Sequence, residues 1–325
     1  MSKRLVHTPE GVRDIYGAEY EKKMRIQELL HQTFLRSGYR DIQTPSFEFF
    51  DVFGKEIGTT PSKDLYKFFD KEGNTLALRP DFTPSMARCG AKYFMEETLP
   101  VRFTYHGNAF VNTSNLQGKL KETTQTGVEL FNDDSVLADA EMIALSVEAL
   151  RCAGLKEFQI SIGNVEFIKG ICEEIGLSEE DELSLREYIS AKNYFGVEEF
   201  LHEVGVSRDL ADIVLKATEA CGSIDFLDEA KKLVTNDRSL GAIERLKKLY
   251  EALETYDVTR YVSFDLSMVS KYHYYTGVIF KGYTYGVGDA ILTGGRYDKL
   301  LSYFGKNAPA IGFVITVDDL MIALT

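Results

Sequence analysis

Apolar positions in the first forty residues recur at helical spacing: Met24, Ile26, Leu29, Leu30 and Phe34 predict a helix from Ala18 to Ser37, with Gly38 as its stop. YRDIQTP follows as a short strand closed by Pro45. DLYKFFDKEGNTLALRP reads as strand, turn and strand, its turn at Glu72-Gly73-Asn74. Asp81 or Thr83 then caps a helix through Ala87 to Tyr93. VRFTYHGNAFV and ETTQTGVELF are two further strands around a polar loop, and Asp133 and Asp134 open an amphipathic helix to Arg151. EFQISIGN is again a strand. From Ser178 to Leu253 the period is helical almost throughout, as in SEEDELSLREYI and GAIERLKKLYEAL, with no strand-like alternation. Strand character returns in RYVSFDLS, YHYYTGVIFKGYTYG, GDAILTGG and PAIGFVIT. These segments lie too close together for parallel crossovers, so the sheet is expected to be largely antiparallel and the fold class α+β. The expected division is a core of 1–170 and 255–325 with a helical insertion at 171–254.

Composition narrows the function. The 325 residues can hold a large core, and 44% apolar with 27% charged is ordinary for a globular chain. No apolar run nears the roughly 20 residues of a membrane span, and MSKRLVHTPEGVRD has no apolar leader. Four scattered cysteines and five scattered histidines give no metal-ligand spacing and point to reduced thiols in a cytoplasmic protein. A net charge of −13 argues against nucleic acid, whose binding rests on lysine and arginine.

Three constellations carry candidate chemistry. In LALRPDFT, Arg79 and Asp81 share a strand face with Thr83 at its end, either gripping an amino acid's ammonium and carboxylate or forming an edge ion pair and a helix cap. In QTGVELF, Gln125 and Glu129 face one way, and Gly127 between them leaves room for a small cationic molecule such as an imidazole or ammonium. In YHYYTGVIF, Tyr272, Tyr274 and Thr276 share one strand face and His273, Tyr275 and Gly277 the other, as a pocket wall or an ordinary aromatic face. There is no phosphate-binding loop, dinucleotide fingerprint or serine triad.

In order, LRPDFT, YHGNAF with QTGVE, YYTG, and GGRYD with PAIGF resemble the catalytic core of class II histidyl-tRNA synthetases. The resemblance runs from TPEGVRDIYG to the end, interrupted by the helical stretch. It implies a six- or seven-stranded antiparallel sheet flanked by helices, dimeric through the helix and strand around residues 18–46. It also implies a histidine pocket of Asp81, Thr83, Gln125, Glu129, Tyr274 and Tyr275, with Asp81 where those enzymes carry a glutamate for the ammonium.

The departures concern phosphate. The arginine that holds the α-phosphate aligns with Val111, after Phe110. The Glu-Arg pair whose arginine holds the γ-phosphate aligns with Asp318 and Asp319, and the arginine that pairs with the substrate carboxylate aligns with Ser270. One unit charge at 4 Å is worth about 4 kcal/mol at an effective dielectric of 20, so the losses at Val111 and Asp319 oppose ATP binding, while Ser270 leaves the substrate carboxylate without its cationic partner. Only six residues follow Asp319, where the synthetases continue into an anticodon-binding domain. The chain therefore resembles the regulatory subunits of ATP phosphoribosyltransferase. That resemblance implies no catalytic residues of its own, no cofactor and no metal. It implies a short-form catalytic subunit as partner in a hetero-octamer, and L-histidine as feedback effector. The alternatives are a divergent amino-acid-activating enzyme, which pyrophosphate exchange would reveal, and a structural dimer with a vestigial pocket.

Overall fold

The computed structural model describes residues 6–54, 57, 60–113, 119–218, 221–269 and 274–324. Helix α1 (Gly17–Arg36) buries Ile26, Leu30, Thr33 and Phe34 on one stripe, within one residue of its expected ends; Met24 is on the exposed side. After it come β1 (Arg40–Asp41), β2 (Phe47–Phe49), β3 (Lys67–Phe69) and β4 (Thr75–Leu78). Helix α2 (Thr83–Tyr93) starts where Asp81 Oδ1 accepts from the Thr83 amide at 2.9 Å. Strands β5 (Val101–Phe110) and β6 (Glu122–Phe131) pair over their whole lengths.

Helix α3 (Val136–Cys152) begins one step later than its acids suggest. Ser135 is the cap, accepting from the Ala138 amide, while Asp133 Oδ1 accepts from the Ser135 amide. The helix is not amphipathic: 11 of its 17 residues are buried, because helices and sheet enclose it on several sides. Strand β7 (Phe158–Asn164) and α4 (Val165–Glu174) precede α5 (Glu179–Ser190), α6 (Tyr194–Glu203), α7 (Arg208–Thr218), β8 (Cys221–Gly222), α8 (Ile224–Lys231) and α9 (Asp237–Glu254). β9 (Val262–Asp265), β10 (Val278–Thr284), β11 (Leu292–Arg296), β12 (Ala310–Thr316) and α10 (Val317–Ala323) complete the described chain.

The main sheet is wider than the resemblance implied. Its nine strands run β1-β5-β6-β12-β11-β10-β7-β9-β8. The six from β5 to β7 are antiparallel throughout, and β1 and β9 add parallel pairs at the flanks. β8 is two residues long, too short to show alternation, yet it ties the helical stretch to the sheet edge. A second sheet, β2-β4-β3, stands apart.

Alternation along β6 divides the interior. Val128 and Leu130 join a large apolar cluster with α1, α3, α4, α9 and α10, while Glu129 between them faces the other way. That cluster continues through Leu185, Leu201, Leu227 and Leu246, so the helical stretch shares one core with the sheet. On the opposite face Phe82, Phe103, Tyr105, Tyr274 and Tyr297 form a smaller cluster around the candidate site.

Candidate functional site

A cavity of about 420 Å³ opens on that face over β6, β12 and β11. Asp81, Thr83, Gln125, Glu129, Tyr274 and Tyr275 all line it. The central side chain is Glu129, about 1% exposed. It accepts from Thr83 Oγ1 at 3.1 Å, from the Tyr105 hydroxyl at 3.4 Å, and from the Tyr297 hydroxyl through a short contact. Burial pushes the Glu129 carboxyl up to about 8, against the pull of these donors, and the nearby Asp81 charge adds to the rise. Burial likewise raises Asp81 to about 7, opposed by its bond from the Thr83 amide. Two carboxyls that resist ionisation, in one small cavity, favour a ligand that brings positive charge or N–H donors. Gln125 Oε1 and Thr113 Oγ1, both on the cavity wall, are buried with no hydrogen-bond partner among the described residues. Gln125 thus presents an acceptor for a ligand donor.

Glycines set the floor. Gly312 lies directly across from Glu129, where a Cβ would come 1.8 Å from Glu129 Oε2. Gly127 serves differently from the expectation: a Cβ there would meet the Phe313 carbonyl at 2.4 Å and the Tyr105 hydroxyl at 2.6 Å. The space it leaves is filled by Tyr105, not by a ligand, and that is how Tyr105 reaches Glu129.

Two further expectations change. β4 ends at Leu78, so Arg79 does not share a strand face with Asp81. Its buried guanidinium donates to the Asn108, Thr44 and Pro45 carbonyls and lies 3.9 Å over the Phe82 ring, a structural role away from the cavity. Tyr274 and Tyr275 stand in a turn before β10, so both rings face the cavity, 4.6 Å apart, instead of alternating. Ser270, Tyr272 and His273 lie outside the described residues. Sequence reasoning missed Tyr105 and Tyr297 as partners of Glu129. Both stand inside the quoted motifs YHGNAF and GGRYD, and alternation about Arg296 and Gly107 is the signal that points to them.

Where the resemblance places phosphate-binding arginines, Val111 lines the cavity with an isopropyl group, its amide donating to the Lys121 carbonyl. Asp318 is committed to the fold: Oδ1 accepts from Lys23 at 3.0 Å and Oδ2 from the Thr124 amide at 2.6 Å. It stands in the first turn of α10, where a carboxylate suits the helix dipole. Asp319 is half-buried, its carboxyl raised by burial, then by the charges of Asp318 and Asp289, with Lys119 opposing.

A family model described as histidyl-tRNA synthetase matches residues 11–320. A protein of Acetivibrio thermocellus named ATP phosphoribosyltransferase regulatory subunit is 42% identical over 324 residues, 100% of this chain and 78% of that protein. One of the same name from Ruminiclostridium cellulolyticum is 44% identical, covering 100% and 77%. Among solved structures, an ATP phosphoribosyltransferase regulatory subunit/histidyl-tRNA synthetase from Bacillus halodurans is 35% identical with a TM-score of 0.92, covering 99% of this chain and 84% of that one. A histidine–tRNA ligase subunit from Alicyclobacillus acidocaldarius is 26% identical with a TM-score of 0.82, covering 98% and 97%.

Proposed function

The chain belongs to the histidyl-tRNA synthetase family and, within it, to the ATP phosphoribosyltransferase regulatory subunits, and from that membership we propose that its cavity is a histidine sensor for an active site on a partner chain. The observation that carries this reading is the buried Glu129, ringed by three hydroxyl donors in a cavity of amino-acid size. Glu129 takes the imidazole N–H. Asp81 with the unpartnered Gln125 Oε1 takes the ammonium, Thr83 holds Glu129, and Tyr274 and Tyr275 form the wall. Val111 and Asp319 support a role without ATP chemistry, because neither offers positive charge to a phosphate.

The partner is a short-form ATP phosphoribosyltransferase catalytic subunit, inactive or weakly active alone, and histidine acts as feedback effector through the complex in the cytoplasm. No nucleic acid takes part, as the net charge of −13 suggests. Within the chain, 1–170 and 255–325 form the core and 171–254 the helical insertion. Self-association, as dimers within a hetero-octamer, uses the helix and strand around residues 18–46, extended by the neighbouring small sheet of β2, β4 and β3. There Phe47, Phe49 and Phe68 are 51%, 58% and 37% exposed and share one sheet face with Leu76 and Leu78.

Titration calorimetry with L-histidine tests the pocket. The parent chain binds, and Glu129→Ala loses about tenfold or more in affinity, since the buried imidazole would lack its acceptor. Equal binding by the two would place the effector elsewhere.

A further inference from the structure

Tyr297 reaches Glu129 because the end of β11 turns neighbouring side chains to opposite faces. Tyr297 points to the cavity and Arg296 to the helices below. Arg296 is 2% exposed and fully engaged. Its Nε and Nη2 donate to Asp139 Oδ1 at 2.8 and 2.6 Å. Nη1 donates to the Asp133 carbonyl at 2.9 Å and to Asp298 Oδ1 at 3.1 Å. Backbone contacts extend the grip to the tyrosine wall: the Thr276 amide donates to the Arg296 carbonyl, and the Asp298 amide donates to Thr276 Oγ1, each at 2.9 Å.

Asp139 itself has no exposed surface. Its other oxygen, Oδ2, accepts from Arg245 Nε at 2.8 Å, with Nη2 at 2.6 Å; that nitrogen also donates to the Asp134 carbonyl at 2.9 Å. Arg245 belongs to α9, the last helix of the helical stretch. One buried carboxylate thus has each oxygen assigned to a different guanidinium, which fixes its rotation as well as its charge balance. Without Arg245, Oδ2 of this fully buried carboxylate loses both of these donors, while Oδ1 keeps those from Arg296.

We propose that Arg245 is a positioning residue for the pocket: acting through Asp139 and Arg296, it holds the Tyr297 hydroxyl on Glu129 and so joins α9 to the ligand site. The functional weight of this rests on the pocket being the effector site. Any ligand that competes with Tyr297 for Glu129 is then felt at α9, and any contact that shifts α9 is felt by the ligand, because such coupling is reciprocal.

The test compares Arg245→Met, which keeps the apolar stem, with Arg238→Met on the same helix, whose guanidinium meets only Glu166 and Glu173 among the ion pairs described. Amide exchange is followed on the full-length chain without ligand, over residues 292–298, where the Tyr297 amide donates to the Ala310 carbonyl at 2.7 Å. Arg245→Met should speed exchange there by about tenfold, Arg238→Met by less than about twofold, and Arg245→Lys should recover part of the loss. Histidine affinity should fall about three- to tenfold in Arg245→Met alone. Unchanged exchange in Arg245→Met, or the same change in both methionine variants, would overturn the proposal. A parent chain that binds no histidine would sink the effector reading, while the exchange comparison would still decide whether Arg245 positions Tyr297.

Discussion

Glu129 carries a proton under conditions where an exposed glutamate would not, and its behaviour with pH separates a ligand site from inherited packing. Its carboxyl moves from an ordinary 4.5 to about 8, and Asp81 from 3.8 to about 7. Both must ionise to hold an ammonium or accept from imidazole at full strength. Histidine affinity should therefore rise from about pH 6 to about pH 8, and binding near pH 7 should release protons, measurable by calorimetry in buffers of different ionisation enthalpy. Stability without ligand runs the opposite way. The folded chain keeps the Glu129 proton up to about pH 8, whereas the unfolded chain gives it up near 4.5, so the folded state binds more protons between these values. This contribution is complete below about 4.5 and is lost as pH rises through 8. Glu129→Gln should melt progressively higher than the parent as pH climbs from about 6 to about 8, and its histidine affinity should keep only the part of the pH dependence that Asp81, raised to about 7, supplies. Parallel melting curves across that range would contradict a buried, titrating Glu129.

At the level of elements, two glycines make opposite predictions from one physical cause, the space beside the missing Cβ. Gly312→Ala drives a methyl into Glu129 Oε2 and to 2.5 Å from the Val128 carbonyl, so it should cost about 1–3 kcal/mol and abolish histidine binding. Gly241 is exposed within α9 with nothing within 4 Å of its absent Cβ. Gly241→Ala should stabilise by about 0.5–1 kcal/mol and leave binding unchanged, as read by chemical unfolding and titration. The elements legible in the sequence were those with long periods: α1, the β5–β6 pair and the helices of 179–254. β2 was missed because three residues in a small separate sheet give too little pattern, and β8 because two give none. Of the site, the six proposed ligand residues could be placed through the order of motifs. The contacts of Glu129 with Tyr105 and Tyr297 could not, since they join positions 24 and 168 residues apart through strand register. Arg79 was misassigned for the complementary reason: spacing of two implies a shared face only while the strand continues, and β4 stops one residue short of it.

On the scale of the whole molecule, a net charge of −13 makes like chains repel, so the proposed self-association is assigned to apolar contact. The sheet face of Phe47, Phe49 and Phe68 is the proposed source. Phe49→Glu should shift the chain toward monomer in sedimentation at micromolar concentration with unchanged circular dichroism, and an unaltered dimer would assign association to another face. The central claim is that this chain senses histidine for chemistry carried out elsewhere. Its most direct test is reconstitution with a short-form ATP phosphoribosyltransferase, measuring phosphoribosyl transfer with and without histidine. The account predicts strong activity only in the mixture, inhibited by histidine, with Glu129→Ala supporting the same activity but needing about tenfold or more histidine for inhibition. A catalytic chain equally active and equally inhibited without this subunit, or a Glu129→Ala complex inhibited like the parent, would contradict it.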